Sequence, residues 1–288
     1  MTEGTTSRIL QKLKELEKEE GKIPLLLEFY KKLLQIQYGV EERIGTLVPT
    51  ISSNAVQTRL SKGLPLIGFD ELALDWSLLR EAFAKVIQTF AEYPQLFGEI
   101  PDTLKKPGAR HLLTKKAVKA WYIGKELPSV LLDGVSENYI QTVIQATLQP
   151  FLARHAEALI GSVEQGTWRN GYCPICGGSP DLAYLEKEVG ARWLLCSRCN
   201  SEWLFQRLEC PYCGNQERNT LAFFSDDEEL YRLYVCERCK HYLKAIDLRK
   251  AKTEVLLPLE RFYTLDLDSQ ARERGYSLYQ KPTMKTEQ

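Results

Sequence analysis

Apolar residues recur at helical spacing through the first half of the chain and at strand spacing through the second. Ile9, Leu10, Leu13 and Leu16 form one stripe after Thr6-Ser7, which can cap a helix. A second helix begins near Pro24, a residue suited to a first helical turn, and shows Leu26, Phe29, Tyr30, Leu33 and Leu34. The strongest repeat is Leu79, Ala82, Phe83, Val86, Ile87 and Phe90, with Asp75 as its cap. Further helices are predicted over Leu113–Glu126 and from Ser136 to about Val163, where Pro150 predicts a kink or a break into two. Between Gly45 and Asp70 the pattern loosens around Pro49, Ser52-Ser53-Asn54 and Gly63, which reads as a long connection. Helices gain most of their stability by burying such stripes, so these predict a bundle core.

Helical spacing stops at Gly166. Beyond it, short alternating runs flank turns: Leu182 and Tyr184, then Trp193 and Leu195 across Val189-Gly190-Ala191. Leu221–Phe224 and Leu230–Val235 flank the acidic turn Asp226-Asp227-Glu228-Glu229. After Thr253 the tail keeps apolar residues (Val255, Leu256, Leu257, Phe262, Tyr263) that predict packing on this region, with fraying from Thr283. The pattern divides the chain into a helical domain at 1–165, two short β modules at 166–208 and 209–252, and a tail at 253–288 packing on them.

Cysteine placement carries the chemistry. All eight lie between Cys173 and Cys239 in four C-x-x-C pairs. Cys173-Pro-Ile-Cys-Gly177 and Cys210-Pro-Tyr-Cys-Gly214 are near twins, as are Cys196-Ser-Arg-Cys199 and Cys236-Glu-Arg-Cys239. Each pair can turn two sulfurs onto one ion, and two pairs make the tetrahedral four-sulfur shell that zinc or iron favours. The offsets of 37 and 40 residues between twins mark an internal repeat. Tandem repetition argues that Cys173, Cys176, Cys196 and Cys199 hold one ion, and Cys210, Cys213, Cys236 and Cys239 the other. The alternative is interleaved, first pair with third and second with fourth. Disulfides are disfavoured by the regular spacing, and a thioredoxin-like redox motif by the absence of a βαβ pattern.

The remaining composition narrows the function. Of 288 residues, 38 are basic and 38 acidic, divided evenly at 20 of each up to Gln165 and 18 of each after it. Neither half has the basic excess of a phosphate-neutralising surface, so nucleic acid is not an expected partner. No apolar run approaches the about 18–20 residues of a membrane span, and Met1-Thr-Glu-Gly-Thr-Thr-Ser lacks the layout of an export signal; a soluble, cytoplasmic protein is expected. The three histidines, His111, His155 and His241, form no metal-hydrolase motif, and no nucleophile-elbow or phosphate-loop pattern occurs. No catalytic residue is indicated.

The segments Gly171-Tyr-Cys-Pro-Ile-Cys-Gly-Gly-Ser-Pro180, Arg192-Trp-Leu-Leu-Cys-Ser-Arg-Cys-Asn-Ser-Glu-Trp203, Arg207-Leu-Glu-Cys-Pro-Tyr-Cys-Gly214 and Cys236-Glu-Arg-Cys-Lys-His-Tyr-Leu-Lys-Ala-Ile-Asp247 resemble the formate dehydrogenase accessory protein family, FdhE. The resemblance is detailed from Gly171 to Asp247 and looser over Leu265-Asp-Leu-Asp and Gly275-Tyr-Ser. It implies an α+β chain: an all-helical N-terminal domain followed by tandem rubredoxin-like or zinc-ribbon modules. It implies a cytoplasmic, non-enzymatic assembly protein that binds the catalytic subunit of formate dehydrogenase and supports its maturation. Rubredoxin-like electron transfer to the same target is the alternative. Asn200 and Lys240 stand where a rubredoxin knuckle has glycine, and lysine is a poor left-handed residue, so the likeness is weaker there and zinc against iron stays open. For the partner surface, Glu202, Trp203, Tyr242, Lys244 and Asp247 are the candidates, since aromatic anchors are common at interfaces. The competing reading has Trp203 and Tyr242 packing the ribbon core.

Overall fold

The helices form where the apolar stripes repeat, and their starts are set by side chains that satisfy free backbone N–H groups. The computed structural model describes residues 4–132 and 134–279; the frayed end expected from Thr283 lies outside them. The helices are α1 (Thr5–Glu20), α2 (Leu25–Ile44), α3 (Ser53–Ser61), α4 (Trp76–Ala91), the single turns α5 (Pro94–Phe97) and α6 (Asp102–Lys105), α7 (Lys115–Ile123) and α8 (Glu137–Leu159), with α9 (Leu257–Tyr263) and α10 (Leu265–Glu273) near the end. Asp75 caps α4 by accepting from the N–H groups of Ser77 and Leu78 at 2.9 and 3.0 Å. Thr114 caps α7 through Ala117 N–H at 3.2 Å. Thr6 does not cap α1: Gly4 stands at the cap, and the Thr6 hydroxyl inside the helix donates to Glu41 Oε1 at 3.1 Å. Pro150 sits within α8, which continues through it as one helix.

The described chain divides into two units, one holding residues up to Leu47 and Phe69–Arg154, the other Val48–Gly68 and His155 onward. The first is helical. Its core is built from the stripes on α2 and α4, where Phe29 packs edge-on against Phe90 and Tyr93 at ring separations of 4.9 and 5.5 Å.

The second unit is organised on one sheet of seven strands among the described residues: β1 (Pro180–Leu185), β2 (Arg192–Cys196), β3 (Glu202–Phe205), β4 (Leu221–Ser225), β5 (Tyr231–Cys236), β6 (His241–Asp247) and the short β7 (Ser277–Leu278). The order is β3-β2-β1-β6-β5-β4, with β7 alongside the start of β6. Each half is an antiparallel meander, and the halves join where β1 runs parallel to β6, Leu182 opposite Lys244 through Leu185 opposite Asp247. The duplication seen in the cysteine pattern is thus a duplication of meanders, merged into one continuous sheet. Helix α10 packs Leu267 and Ala271 on Leu233, Val235 and Tyr242, while Val255 and Leu257 pack against Leu182, Leu195 and Ile246.

One expectation is corrected. The segment Gly45–Asp70 is not only connection: Ser52 caps α3, its hydroxyl accepting from Ala55 N–H at 3.3 Å. The polar triplet that suggested a loop is a helix start, and with only Val56 buried the helix lacks a stripe that would announce it. The rest of this segment pairs with the first cysteine turn. Leu66 and Ile67 N–H donate to the carbonyls of Pro174 and Ile175 at 2.8 and 3.0 Å, and the Tyr172 hydroxyl donates to Gly63 O at 2.6 Å.

Candidate metal centres

Each C-x-x-C forms the same turn. The residue after the second cysteine donates its N–H to the carbonyl of the first: Gly177 to Cys173 at 3.0 Å, Asn200 to Cys196 at 3.2 Å, Gly214 to Cys210 at 2.9 Å and Lys240 to Cys236 at 2.8 Å. That closure requires a left-handed backbone, and all four residues have it, with φ of 68°, 58°, 68° and 58°. The departure expected at Asn200 and Lys240 is in residue type alone; their backbone follows the glycine knuckles.

The turns bring the sulfurs together in sequential pairs. Cys173, Cys176, Cys196 and Cys199 form one cluster, Cys210, Cys213, Cys236 and Cys239 the other, with the sulfurs of each within 4.8 Å of one another. Neighbouring sulfurs lie 3.5–3.6 Å apart in the first (Cys176 to Cys196, Cys173 to Cys199) and 3.7–3.8 Å apart in the second (Cys210 to Cys239, Cys213 to Cys236). A disulfide needs about 2.05 Å, so these thiols are free of one another. Four sulfurs placed tetrahedrally about an ion at about 2.3 Å stand about 3.8 Å apart, which fits the observed spacing. The donor set is soft and complete, four sulfurs per site, so an ion held here has no open position for a substrate.

Electrostatics supports the same fit. Backbone N–H groups aim at sulfur: Ile175 at Cys173 and Arg198 at Cys196, both at 3.4 Å, and the Asn215 side-chain amide reaches Cys236 at 3.6 Å. Burial pushes the Cys173 and Cys199 thiols up, while Cys176, hydrogen-bonded by Cys173 and the other two, is held well down. In the second cluster burial raises Cys210 and lifts Cys239 to about 11; at Cys236 burial is outweighed by N–H groups of Cys239 and Arg238 and by Asn215, which bring it to about 7. Four thiolates in one place call for a cation.

The sites differ in enclosure. All four cysteines of the first are buried, whereas Cys213 and Cys239 of the second are partly exposed. The first is also braced from the tail. Arg261 on α9 makes a fork to both oxygens of Asp181 at 2.7 and 2.9 Å and donates to Asn200 Oδ1 and Cys196 O at 2.7 and 2.9 Å. Nothing in the sequence marks Arg261, because its partners lie 61 to 80 residues earlier. Gly171 has another structural role: a Cβ there would stand 1.9 Å from Pro211 O, so the entry to the first cluster touches the first turn of the second.

The residues proposed from sequence as a partner surface have internal partners. Trp203 is 0 % exposed and donates its indole N–H to Asn170 O at 3.1 Å. Tyr242 is 2 % exposed and donates to Asp268 at 2.7 Å, and buried Lys244 pairs with Asp268 at 2.8 Å. Asp247, fully buried, accepts from Arg232 and Arg249, both at 2.6 Å. Glu202 is half-buried and accepts from Tyr184 at 2.6 Å. The choice between anchor and core falls to core for both: alternation along β3 turns Trp203 inward, and β6, inside the sheet, is buried from Tyr242 through Asp247. No described helix is long and apolar enough to cross a membrane.

Comparison with known proteins places this geometry. The family model for the FdhE central domain matches residues 172–207, which span the first cluster. A protein FdhE homolog of Aquifex aeolicus is 29% identical over 259 residues, covering 87% of this chain and 85% of its own. One from Shewanella oneidensis is 29% identical over 136 residues, 46% of this chain and 45% of its own. The crystal structure of the FdhE protein from Pseudomonas aeruginosa superposes with a TM-score of 0.63 at 20% identity, over 99% of this chain and 97% of that one, and so shares its fold.

Proposed function

We propose, from its likeness to FdhE proteins, that the chain is a member of the FdhE family, a formate dehydrogenase accessory protein that binds the catalytic subunit of that enzyme and supports its maturation in the cytoplasm, without catalysis of its own. The observation that carries the reading is the pair of complete four-sulfur shells set in one sheet. Closed shells of this kind organise a surface rather than a reaction. Zinc or iron, one ion per cluster, supplies the positive charge the crowded thiolates need, and iron would add one-electron exchange. Eight cysteines kept as thiols suit a reducing compartment.

The test is capture from the native host with metal analysis of the same sample. The expected result is co-purification of the formate dehydrogenase catalytic subunit with two ions per chain. Capture that survives removal of both ions would overturn the scaffold role. Because Trp203 is core, Trp203→Ala is expected to lower the melting temperature and release metal, not to weaken capture alone.

A second reading, electron transfer to the same target, is favoured by the partial exposure of Cys213 and Cys239. It requires iron and a reversible visible spectrum; a colourless, zinc-filled protein from the native host sinks it.

A further inference from the structure

Arg192, the first residue of β2, is 3 % exposed. One terminal nitrogen donates to the carbonyls of Gln206 and Glu209. Its guanidinium lies over the rings of Phe205 and Tyr234, at 5.3 and 5.7 Å. Its Nε is buried and has no partner among the described residues. A buried guanidinium is costly unless its charge and its donors are matched. Here the carbonyls match part of it, and the Glu209 carboxylate acts on it only through space, with no ion-pair contact to Arg192 among the described residues.

Arg192 forms part of the wall of a cavity of about 260 Å³. Arg169 and Arg207, both exposed, line the same cavity, and the described lining holds no Asp or Glu. Gln165 accepts from Leu204 N–H at 3.1 Å through Oε1, which leaves its side-chain NH₂ as a further donor on this wall. Trp168 and Phe205 supply apolar surface. The guanidiniums of Arg207 and Arg169 and the Gln165 amide, with buried Arg192 behind them and one of its terminal nitrogens already committed to two carbonyls, make beside Trp168 and Phe205 a site for a ligand with one charged and one apolar end. Arginine's planar fork matches a carboxylate, and the match gains strength where water is excluded. The volume falls just short of the about 300–1,000 Å³ of pockets that take drug-sized ligands, which favours a monocarboxylate with a body the size of one ring.

We propose that this cavity is a carboxylate-binding site, with Arg192 at its buried end, Arg207 and Arg169 at its mouth and an apolar group of the ligand against Trp168 and Phe205. The carboxylate belongs either to a free small molecule or to the end of a polypeptide chain; both present the same chemistry. The site does not depend on the metal clusters being loaded with one metal or another, nor on the accessory role.

Calorimetric titration of the full, metal-loaded chain tests it, with benzoate, neutral benzamide, and a tripeptide ending in phenylalanine as free acid or amide. Benzoate or the peptide acid is expected to bind saturably at one site, and benzamide and the peptide amide about ten-fold or more weaker, since each lacks the charge the arginine fork recognises. Arg207→Gln and Arg169→Gln, exposed and outside the metal clusters, are expected to weaken binding by a similar factor while two ions per chain remain. Arg192→Gln is expected to abolish it, and metal content reports whether that variant is folded. A peptide acid tighter than benzoate assigns the site to a chain end; the reverse order assigns it to a free carboxylate. Equal binding of acid and amide forms, no saturable binding of either acid, or affinity unchanged in both exposed variants overturns the proposal.

Discussion

Lys240 pays a backbone cost that Gly177 and Gly214 avoid, because the knuckle hydrogen bond to Cys236 O fixes φ at 58° whatever side chain follows. A left-handed conformation costs an ordinary residue roughly 1–2 kcal/mol, and Asn tolerates it best after Gly. Lys240→Asn is therefore expected to raise stability by up to about 1 kcal/mol, read as a higher melting temperature of the loaded protein. Asn200 already has that advantage at the matching position. Asp247 shows the opposite economy: Arg249 beside it, with Arg232, holds its carboxyl below the usual range against the effect of burial. A depressed carboxyl stabilises the fold fully above its unfolded value of about 3.9, and the contribution is lost as pH falls through the lower folded value. Asp247→Asn leaves buried Arg232 without its counter-charge and is expected to cost about 3 kcal/mol at neutral pH. Denaturant titrations at neutral and acid pH should show the gap between native and variant closing in acid. The sequence singles out Asp247 only as a surface candidate, since nothing local shows that two arginines converge on it.

At the scale of elements, β1, β2, β4 and β5 are legible as short apolar runs flanking turns, whereas the two-residue β7 carries no signal of its own. Their order is not legible. The β1–β6 seam joins residues about sixty apart in a parallel pair, and no local pattern encodes a partner at that distance. Sequential pairing of the cysteines was favoured by the repeat, whereas the bracing of the first cluster by α9 depends on a tertiary contact alone. Arg261→Ala removes the fork to Asp181 together with the bonds to Asn200 and the Cys196 carbonyl. Loss of such a charged, partly buried pair is expected to destabilise by about 2–3 kcal/mol. Metal should leave the first cluster faster, while release from the second is unchanged; stopped-flow chelation with a coloured indicator separates the two.

For the whole molecule, the difference in enclosure sets an order of loss. Challenge with a strong chelator is expected to release metal in two phases of equal amplitude, the faster from the cluster containing the partly exposed Cys213 and Cys239. Cys213→Ser should remove the fast phase alone. A single phase for both ions would show that the sites open together. The family-level reading rests on the residues around the cysteines, which are also the ones the fold draws into its sheet; the proposed carboxylate cavity is not legible in the sequence because Gln165, Arg192 and Arg207 meet only in three dimensions. The parallel seam has one more consequence, during synthesis. β1 emerges from the ribosome well before β6 exists, so the apolar edge at Leu182 and Leu185 has no neighbour on that side until the second repeat is finished. An unpaired edge invites aggregation, so a chain cut short after the first repeat would be sticky rather than a smaller working module, and the duplicated ribbon is viable only as a pair.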